Sequence, residues 1–336
     1  MHNYLHVPPP KRTIDCCYTS NFDEEYGKIF PFLSPAAAVE LVARYPDFSY
    51  RSIREGIRRR FRVSSVALGS GSEDIILRLN AWLRDRRVRV AMVEPIFHRT
   101  SESFRGRYVR LNQDSLFTKN LGQFGAVWLQ NPNLFTGDAY RTDRLRRLIR
   151  RYVRVLFLID EAAIFTVAGW QRYSLLPFLR YHPNVVAVES LSKMYGLCGL
   201  RAGFAAGNNV AVAALRERET TFPFTSLTVA YVAAVLRSGT EQFLNHLRRR
   251  IRQHQAELCR VAERFPGTKV WCSVANCIFL RSLAGQNVHR ALTRAGVLTF
   301  DVSDGRGDTV RITVHSSRRI QYEVRRRLSR ALSSLV

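Results

Sequence analysis

The chain has 336 residues, 46% of them apolar, which is enough to bury a large core in two subdomains and is ordinary for a globular protein. No apolar run is long enough to span a bilayer, and the opening MHNYLHVPPPKRTID lacks the apolar core and small-residue cleavage site of a secretory leader, so the cytoplasm is the expected compartment. The net charge of +25 raises nucleic acid as a partner. However, the arginines are spread along the whole chain, in clusters such as Arg58-Arg59-Arg60, Arg86-Arg87, Arg248-Arg249-Arg250 and Arg325-Arg326-Arg327, each within or beside an amphipathic helical pattern. They read as solvated faces, with salt-sensitive adhesion to nucleic acid but no specific binding. Cys16, Cys17, Cys198, Cys259, Cys272 and Cys277 fit no metal-ligand spacing and read as free, reduced thiols.

In chain order, the first 30 or so residues lack periodicity and form an arm. The stretch 68-LGSGSEDIILRLNAWL-83 reads as a Gly-Ser turn opening an amphipathic helix, with Ser72 suited to its N-cap. Five short apolar runs follow: 88-VRVAMVEP-95, 125-GAVWLQNP-132, 153-VRVLFLIDEA-162, 184-NVVAVES-190 and 200-LRAGFAAG-207. They are bounded by turn signals and read as strands buried on both faces, the mark of a mostly parallel sheet. Helical patterns alternate with them, as in 141-RTDRLRRLIRRY-152, where Leu145 and Leu148 face inward. The fold class is therefore α/β, with helices on both sheet faces. Residues 228–264 predict a long helix or a helix pair. Strands at 277-CIFLRS-282 and 309-TVRITVHS-316 then alternate with helices near 286–295 and 319–335, giving a smaller α+β subdomain. The expected division is 1–44 for the arm and part of the small subdomain, 45–230 for the large domain and 231–336 for the small one.

Polar residues collect where the strands end, and in open α/β sheets ligands bind at that edge. One of them, Lys193, stands out because only five of the 52 basic side chains are lysines. An amine can lose its proton and attack a carbonyl, whereas a guanidinium cannot. Ser190 and Ser192 flank it with hydroxyls, Gly196 and Gly199 allow a tight turn, and Arg201 follows, so an anion such as phosphate is expected beside the amine. Free amides where the 71–83 helix begins offer a second anion site. Asp160 ends a fully apolar strand, where a carboxylate needs a cationic partner such as a protonated pyridine nitrogen.

Together these features resemble the fold-type-I pyridoxal-phosphate (PLP) enzymes, most closely the histidinol-phosphate aminotransferase and threonine-phosphate decarboxylase branch, from about Tyr45 to the C-terminus. The family's S-x-S-K-x-Y-G-L-x-G-L-R-x-G is matched by Ser190, Ser192, Lys193, Tyr195, Gly196, Leu197, Gly199, Leu200, Arg201 and Gly203. Its G-x-G-S with two acids is matched by Gly69 to Asp74, its D-E-A by Asp160, Glu161 and Ala162, its Y-P-D by Tyr45, Pro46 and Asp47, and its R-I-T-V by Arg311 to Val314. The resemblance implies the PLP fold and a role for each match. Lys193 would hold the cofactor as an internal aldimine and move protons on the substrate carbon, and Asp160 would pair with the ring nitrogen. Ser72, Ser190, Ser192 and Arg201, with amides near Gly71 to Glu73, would hold the phosphate. Phe97 would pack near the ring and Arg311 would grip a substrate carboxylate. Tyr45 would reach the neighbouring site of a homodimer.

The family's N-P-N-N-P-T-G appears as 131-NPNLFTG-137, so Leu134 stands in place of the asparagine that bonds the ring hydroxyl; Asn133 could substitute if the loop shifts by one residue. Ala163 replaces a tyrosine that reaches the same oxygen, and Thr100 stands where an aromatic is common. The resemblance implies a PLP-dependent aminotransferase acting on an amino acid or amine and a 2-oxo acid, as part of amino-acid metabolism and biosynthesis. A decarboxylase or other lyase on the same scaffold and a non-catalytic PLP-fold protein remain alternatives.

Overall fold

A computed structural model describes residues 13–335. The expectations placed on residues 1–12, the start of the arm and the leader reading, lie outside the described residues. The centre is a seven-stranded sheet of β1 (Val66–Ser70), β2 (Val90–Val93), β3 (Tyr108–Leu111), β4 (Ala126–Gln130), β5 (Leu156–Asp160), β6 (Val185–Ser190) and β7 (Ala202–Gly207). Its order is β1-β7-β6-β5-β4-β2-β3. The pairs from β6 across to β3 are parallel, as expected. Strand β7, read from sequence as one more of the same kind, instead runs antiparallel to both β6 and β1. The reversal follows from the short Lys193 turn, which has no crossover helix.

Successive side chains point to opposite faces, so strands that are apolar at nearly every position give the sheet two apolar faces. Val90, Met92, Trp128, Leu158 and Val188 pack under α3 (Gly71–Asp85), α4 (His98–Phe104) and α6 (Asn209–Glu217). Ala91, Val93, Val127, Leu129, Phe157 and Ile159 face the opposite core with α2 (Arg51–Phe61) and α5 (Thr142–Arg151), where Leu145 and Leu148 are buried as the pattern requires.

The segment 228–264 is a helix pair, α7 (Ser226–Val235) and α8 (Thr240–Ala262). Beyond it, β8 (Thr268–Cys272), β9 (Cys277–Ser282), β10 (Phe300–Asp301) and β11 (Thr309–Thr313) form an antiparallel sheet, with α9 (Val288–Arg294) and α10 (Arg318–Ser333). The arm joins this unit. Ile14–Asp15 pairs in parallel with Val297–Leu298, Thr313 N donates to Cys16 O at 2.8 Å, and Asn21 bonds Ser316 through both its amide groups.

Two arginines correct the solvated-face reading. Arg248 is 1% exposed; its Nε donates to Phe165 O at 2.7 Å and its Nη1 to Glu241 at 2.6 Å. Arg250 is also buried and pairs with Asp23 and Glu25 of the arm. Two positions apart, they point to different sides of a helix that is covered by neighbours on more than one face, and each buried guanidinium needs carboxylate or carbonyl partners. Truncating one member of such a pair strands the other, so Arg248→Ala should lose ~3 kcal/mol of stability in chemical denaturation. The exposed neighbour variant Arg249→Ala should change the midpoint little.

Candidate active site

The strand edge that carries Asp160, Ser190 and the Lys193 turn faces the start of α3. That helix begins at Gly71, and its N-cap is Ser70 rather than Ser72. The sequence reading missed this because 66-VALGS-70 is a strand, which places the turn one step earlier. Ser70 makes no side-chain cap; its hydroxyl donates to Pro223 O at 3.0 Å. The first amides of α3 therefore stay open, whereas α7 and α10 are capped by Thr225 and Ser317.

Glycines shape the space in front of those amides. Gly71 has φ +81°, and a Cβ on it would lie 2.5 Å from Nη2 of Arg201. A Cβ on Gly203 would lie 2.7 Å from Ser72 N and 2.5 Å from the Gly71 carbonyl carbon. The antiparallel return of β7 thus carries Arg201 onto an uncapped helix start, a cradle only glycine permits. Ser190 and Ser192 are buried beside it. Ser192 N donates to Ser190 Oγ at 3.1 Å, while Ser192 Oγ has no partner among the described residues. An orphaned hydroxyl, free amides and a guanidinium form a donor set that fits a phosphate.

Lys193 is part-exposed as a residue, but its amine lies in the interior. Burial lowers its pKa; Asp160 opposes that shift, and Arg311 and Arg201 add to it. Asp160 is buried at 2% exposure; burial raises its pKa, against the pull of Lys193 and of the Ala162 amide, which donates to Oδ1 at 3.0 Å. Arg311 is also buried. Its Nη1 donates to Leu134 O at 2.9 Å and its Nη2 to Cys17 O at 2.8 Å, its guanidinium lies 4.5 Å over the Phe300 ring, and its Nε has no partner among the described residues. Three of its five N–H groups remain for a ligand.

The structure therefore brings together Lys193, Asp160, Arg311 and Arg201, and sets Ser72, Ser190 and Ser192 around the cradle. Phe97 is half-buried at the N-cap of α4, which an Arg99–Glu73 ion pair of 2.7 Å draws to the start of α3. Tyr45 stands apart, 84% exposed and stacked on Phe222 at 4.7 Å.

Residues 31–326 match the aminotransferase class I and II family. The chain belongs to this family. A histidinol-phosphate aminotransferase from Caldanaerobacter subterraneus subsp. tengcongensis is 29% identical over 292 residues, which cover 81% of this chain and 80% of that protein. Among solved structures, the histidinol-phosphate aminotransferase of Sinorhizobium meliloti in complex with pyridoxal-5'-phosphate superposes with TM-score 0.77 at 17% identity, covering 99% of this chain and 96% of that one. The L-threonine-O-3-phosphate decarboxylase of Porphyromonas gingivalis gives 0.78 at 18%, covering 96% and 99%. These likenesses confirm the type-I fold, and the reading as a PLP-dependent aminotransferase stands on membership of the family.

Against the family pattern, Leu134 and Ala163 are both buried and bring no side-chain donor. Asn133 is engaged within its own loop and with Pro95. Its Nδ2 donates to Pro95 O at 2.7 Å and its Oδ1 accepts from the amides of Phe135 and Thr136, so it builds the loop. Thr100 is buried within α4.

This aminotransferase also holds its lysine turn in a way the sequence did not signal. Tyr26 donates its hydroxyl to Met194 O, and a Cβ on Gly196 would meet the Tyr26 ring at 2.8 Å. Asn21 N donates to Lys193 O at 3.3 Å. Both residues lie in the aperiodic arm.

A second feature sits behind Asp160. Glu161 and Glu189 are fully buried. Glu161 accepts from Ser174 Oγ at 2.5 Å and Leu175 N at 2.8 Å, while among the described residues no hydroxyl, amide or cationic group donates to either Glu189 oxygen. The Glu189 carboxyl lies within hydrogen-bonding reach of Glu161, and two carboxyls can bond only through a retained proton. Burial, their mutual repulsion and Asp160 push Glu189 well above the usual range, and burial pushes Glu161 to about 7. The folded state thus holds more protons than the unfolded chain above about pH 4.5, and the associated stability is lost as pH rises toward about 7. Glu189→Gln keeps the shape and a donor without the titration. Its melting temperature relative to wild type should rise across that window; a difference that stays flat would mean the pair shares no proton.

Proposed function

We propose that the chain transfers an amino group between an amino donor and a 2-oxo acid, with PLP seated against Lys193. The observation that carries this reading is the convergence of an interior amine, a buried carboxylate and a phosphate-shaped cradle on one sheet edge. The excess of positive charge supports it. Lys193, Arg201 and Arg311 face one another with Asp160 as the counter-charge, beside an uncapped helix start, and such a site calls for an anionic ligand.

In this reading Gly71, Ser72 and Glu73 give backbone amides to the phosphate, Ser72, Ser190 and Ser192 give hydroxyls, and Arg201 gives a guanidinium. Asp160 keeps the ring nitrogen protonated, and a cationic N–H partner would offset the burial that raises its pKa. Phe97 packs beside the ring. Bound there, PLP supplies an aldehyde for the amino group and a ring that accepts the electron pair left when the substrate carbon loses its proton. Lys193 Nζ, more easily deprotonated than a surface lysine, takes that proton and returns it to the neighbouring position. Arg311 orients the substrate through a carboxylate. Leu134 and Ala163 leave the ring hydroxyl without the family's two side-chain donors.

Tyr45 serves the adjacent site of a homodimer. The face around it supports this: Val39 and Val42 of α1 (Pro35–Ala43), Tyr45 and Phe48 are all exposed, and α1 buries none of its residues. A cytoplasmic location accords with the absence, among the described residues, of a helix able to cross a membrane. Histidinol phosphate, named by the curated relatives, is the first donor to assay.

The test is a near-visible spectrum before and after borohydride, with peptide mapping. Wild type should be yellow, with the label on Lys193, and Lys193→Ala should lose at least a thousandfold in turnover. A protein that stays colourless with added PLP sinks the reading. A single-turnover screen of donors separates amino transfer, which leaves the amino form of the cofactor, from decarboxylation, which releases carbon dioxide. Gly203→Ala forces the cradle open and should weaken PLP retention about tenfold or more, read by dialysis and absorbance.

A further inference from the structure

Away from this site, α8 and β8 bring two thiols together. Cys259 Sγ, on the last turns of α8, lies 2.9 Å from Cys272 Sγ, the final residue of β8. Cys259 is buried and Cys272 is exposed. The approach is held by more than the two sulfurs. From the same helix, Arg252 donates to Ser273 O at 2.7 Å and to Val274 O, and Gln255 Nε2 donates to Ala275 O at 2.7 Å and Cys277 O at 2.8 Å. The β8–β9 turn is thereby fixed against α8, so the sulfurs need less than about 1 Å of movement to reach bonding distance.

We propose that Cys259 and Cys272 form a reversible disulfide by exchange with small-molecule disulfides, a modification independent of the cofactor chemistry. The exposed Cys272 thiolate attacks one sulfur of the small disulfide and releases one thiol, leaving a mixed disulfide. Cys259 then gives up its proton and attacks the Cys272 sulfur, releasing the second thiol. Two electrons pass from the protein dithiol to the small disulfide, and the two protons leave with its two thiols.

The charges around the pair suit this order. The Cys259 S–H bond to Cys272 and the Arg252 guanidinium hold the Cys272 thiol down to about 7, against burial and Glu263, while Cys259 is pushed up by that same bond and by burial. Residues flanking Cys272 connect the stitch to a loop of the active site. Trp271 Nε1 donates to Thr136 O at 3.3 Å and Ser273 Oγ to Gly137 O at 2.9 Å, in the loop whose Leu134 carbonyl holds Arg311.

The full chain should be equilibrated with oxidised and reduced glutathione at graded ratios, acid-quenched, alkylated and digested with trypsin, which cuts between the two cysteines at Arg260, Arg264 and Lys269. The expected product is a cross-linked peptide pair containing Cys259 and Cys272, two fewer alkylated thiols of the six, and restoration by dithiothreitol. Cys259→Ser should instead accumulate one glutathione on Cys272, and Cys272→Ser should give no adduct on Cys259. Wild type that retains six alkylated thiols in excess oxidised glutathione, or that links other cysteines, overturns the proposal, as does a Cys259→Ser variant with no adduct.

Discussion

The site depends on an amine kept inside the protein with too few negative charges around it. Lys193 has Asp160 as its carboxylate and Arg201 and Arg311 as like-charged neighbours. Burying an ammonium among guanidinium groups is costly, and the cost falls when the amine sheds its proton or an anion arrives. Both outcomes serve a nucleophilic lysine beside a phosphate. The remaining architecture supplies what that arrangement needs: an uncapped helix, two glycines where backbones approach closely, and a carboxylate sealed at the end of an apolar strand.

The reversed strand β7 gives the arrangement its geometry. If the chain left β6 by a crossover helix, Arg201 would be carried away from α3. By turning back, it reaches Gly71, and Gly203 lies against the α3 start. The arm adds a brace, with Tyr26 and Asn21 bonded to the backbone at Met194 and Lys193, and Cys17 O receiving Arg311. The small unit, the arm and the sheet edge therefore converge on the same few side chains. A cross-link between α8 and β8 would act on this unit, not on the cradle.

Behind the site, the low-dielectric interior that tunes Lys193 also acts on Glu161 and Glu189. Two carboxyls beside Asp160 cannot all ionise cheaply, and a retained proton lets the outer pair stay buried, while a cationic partner would offset the burial that raises the pKa of Asp160. The arginine-rich composition divides in a similar way. Most arginines are solvated, but Arg248 and Arg250 pin α8 to Glu241 and to the arm's acids.

The sequence by itself determined the alternation of strand and helix, because buried parallel strands must be apolar throughout and their covering helices amphipathic. It also determined the identity of Lys193, since one amine among so many guanidinium groups is chemically distinct, and the motif around it is dense enough to carry the family. The direction of β7 follows from the missing crossover helix after Ser190, but the N-cap at Ser70 and the inward face of Arg248 depend on what lies across space and not on neighbours along the chain. Tyr26 and Glu189 were illegible for the same reason: a tyrosine in an aperiodic arm and a glutamate inside a strand acquire a role only when folding brings Met194 and Glu161 against them. Residue chemistry is local and can be read from the chain, whereas burial and partnership arise from contacts between distant segments, and those the tertiary structure alone decided.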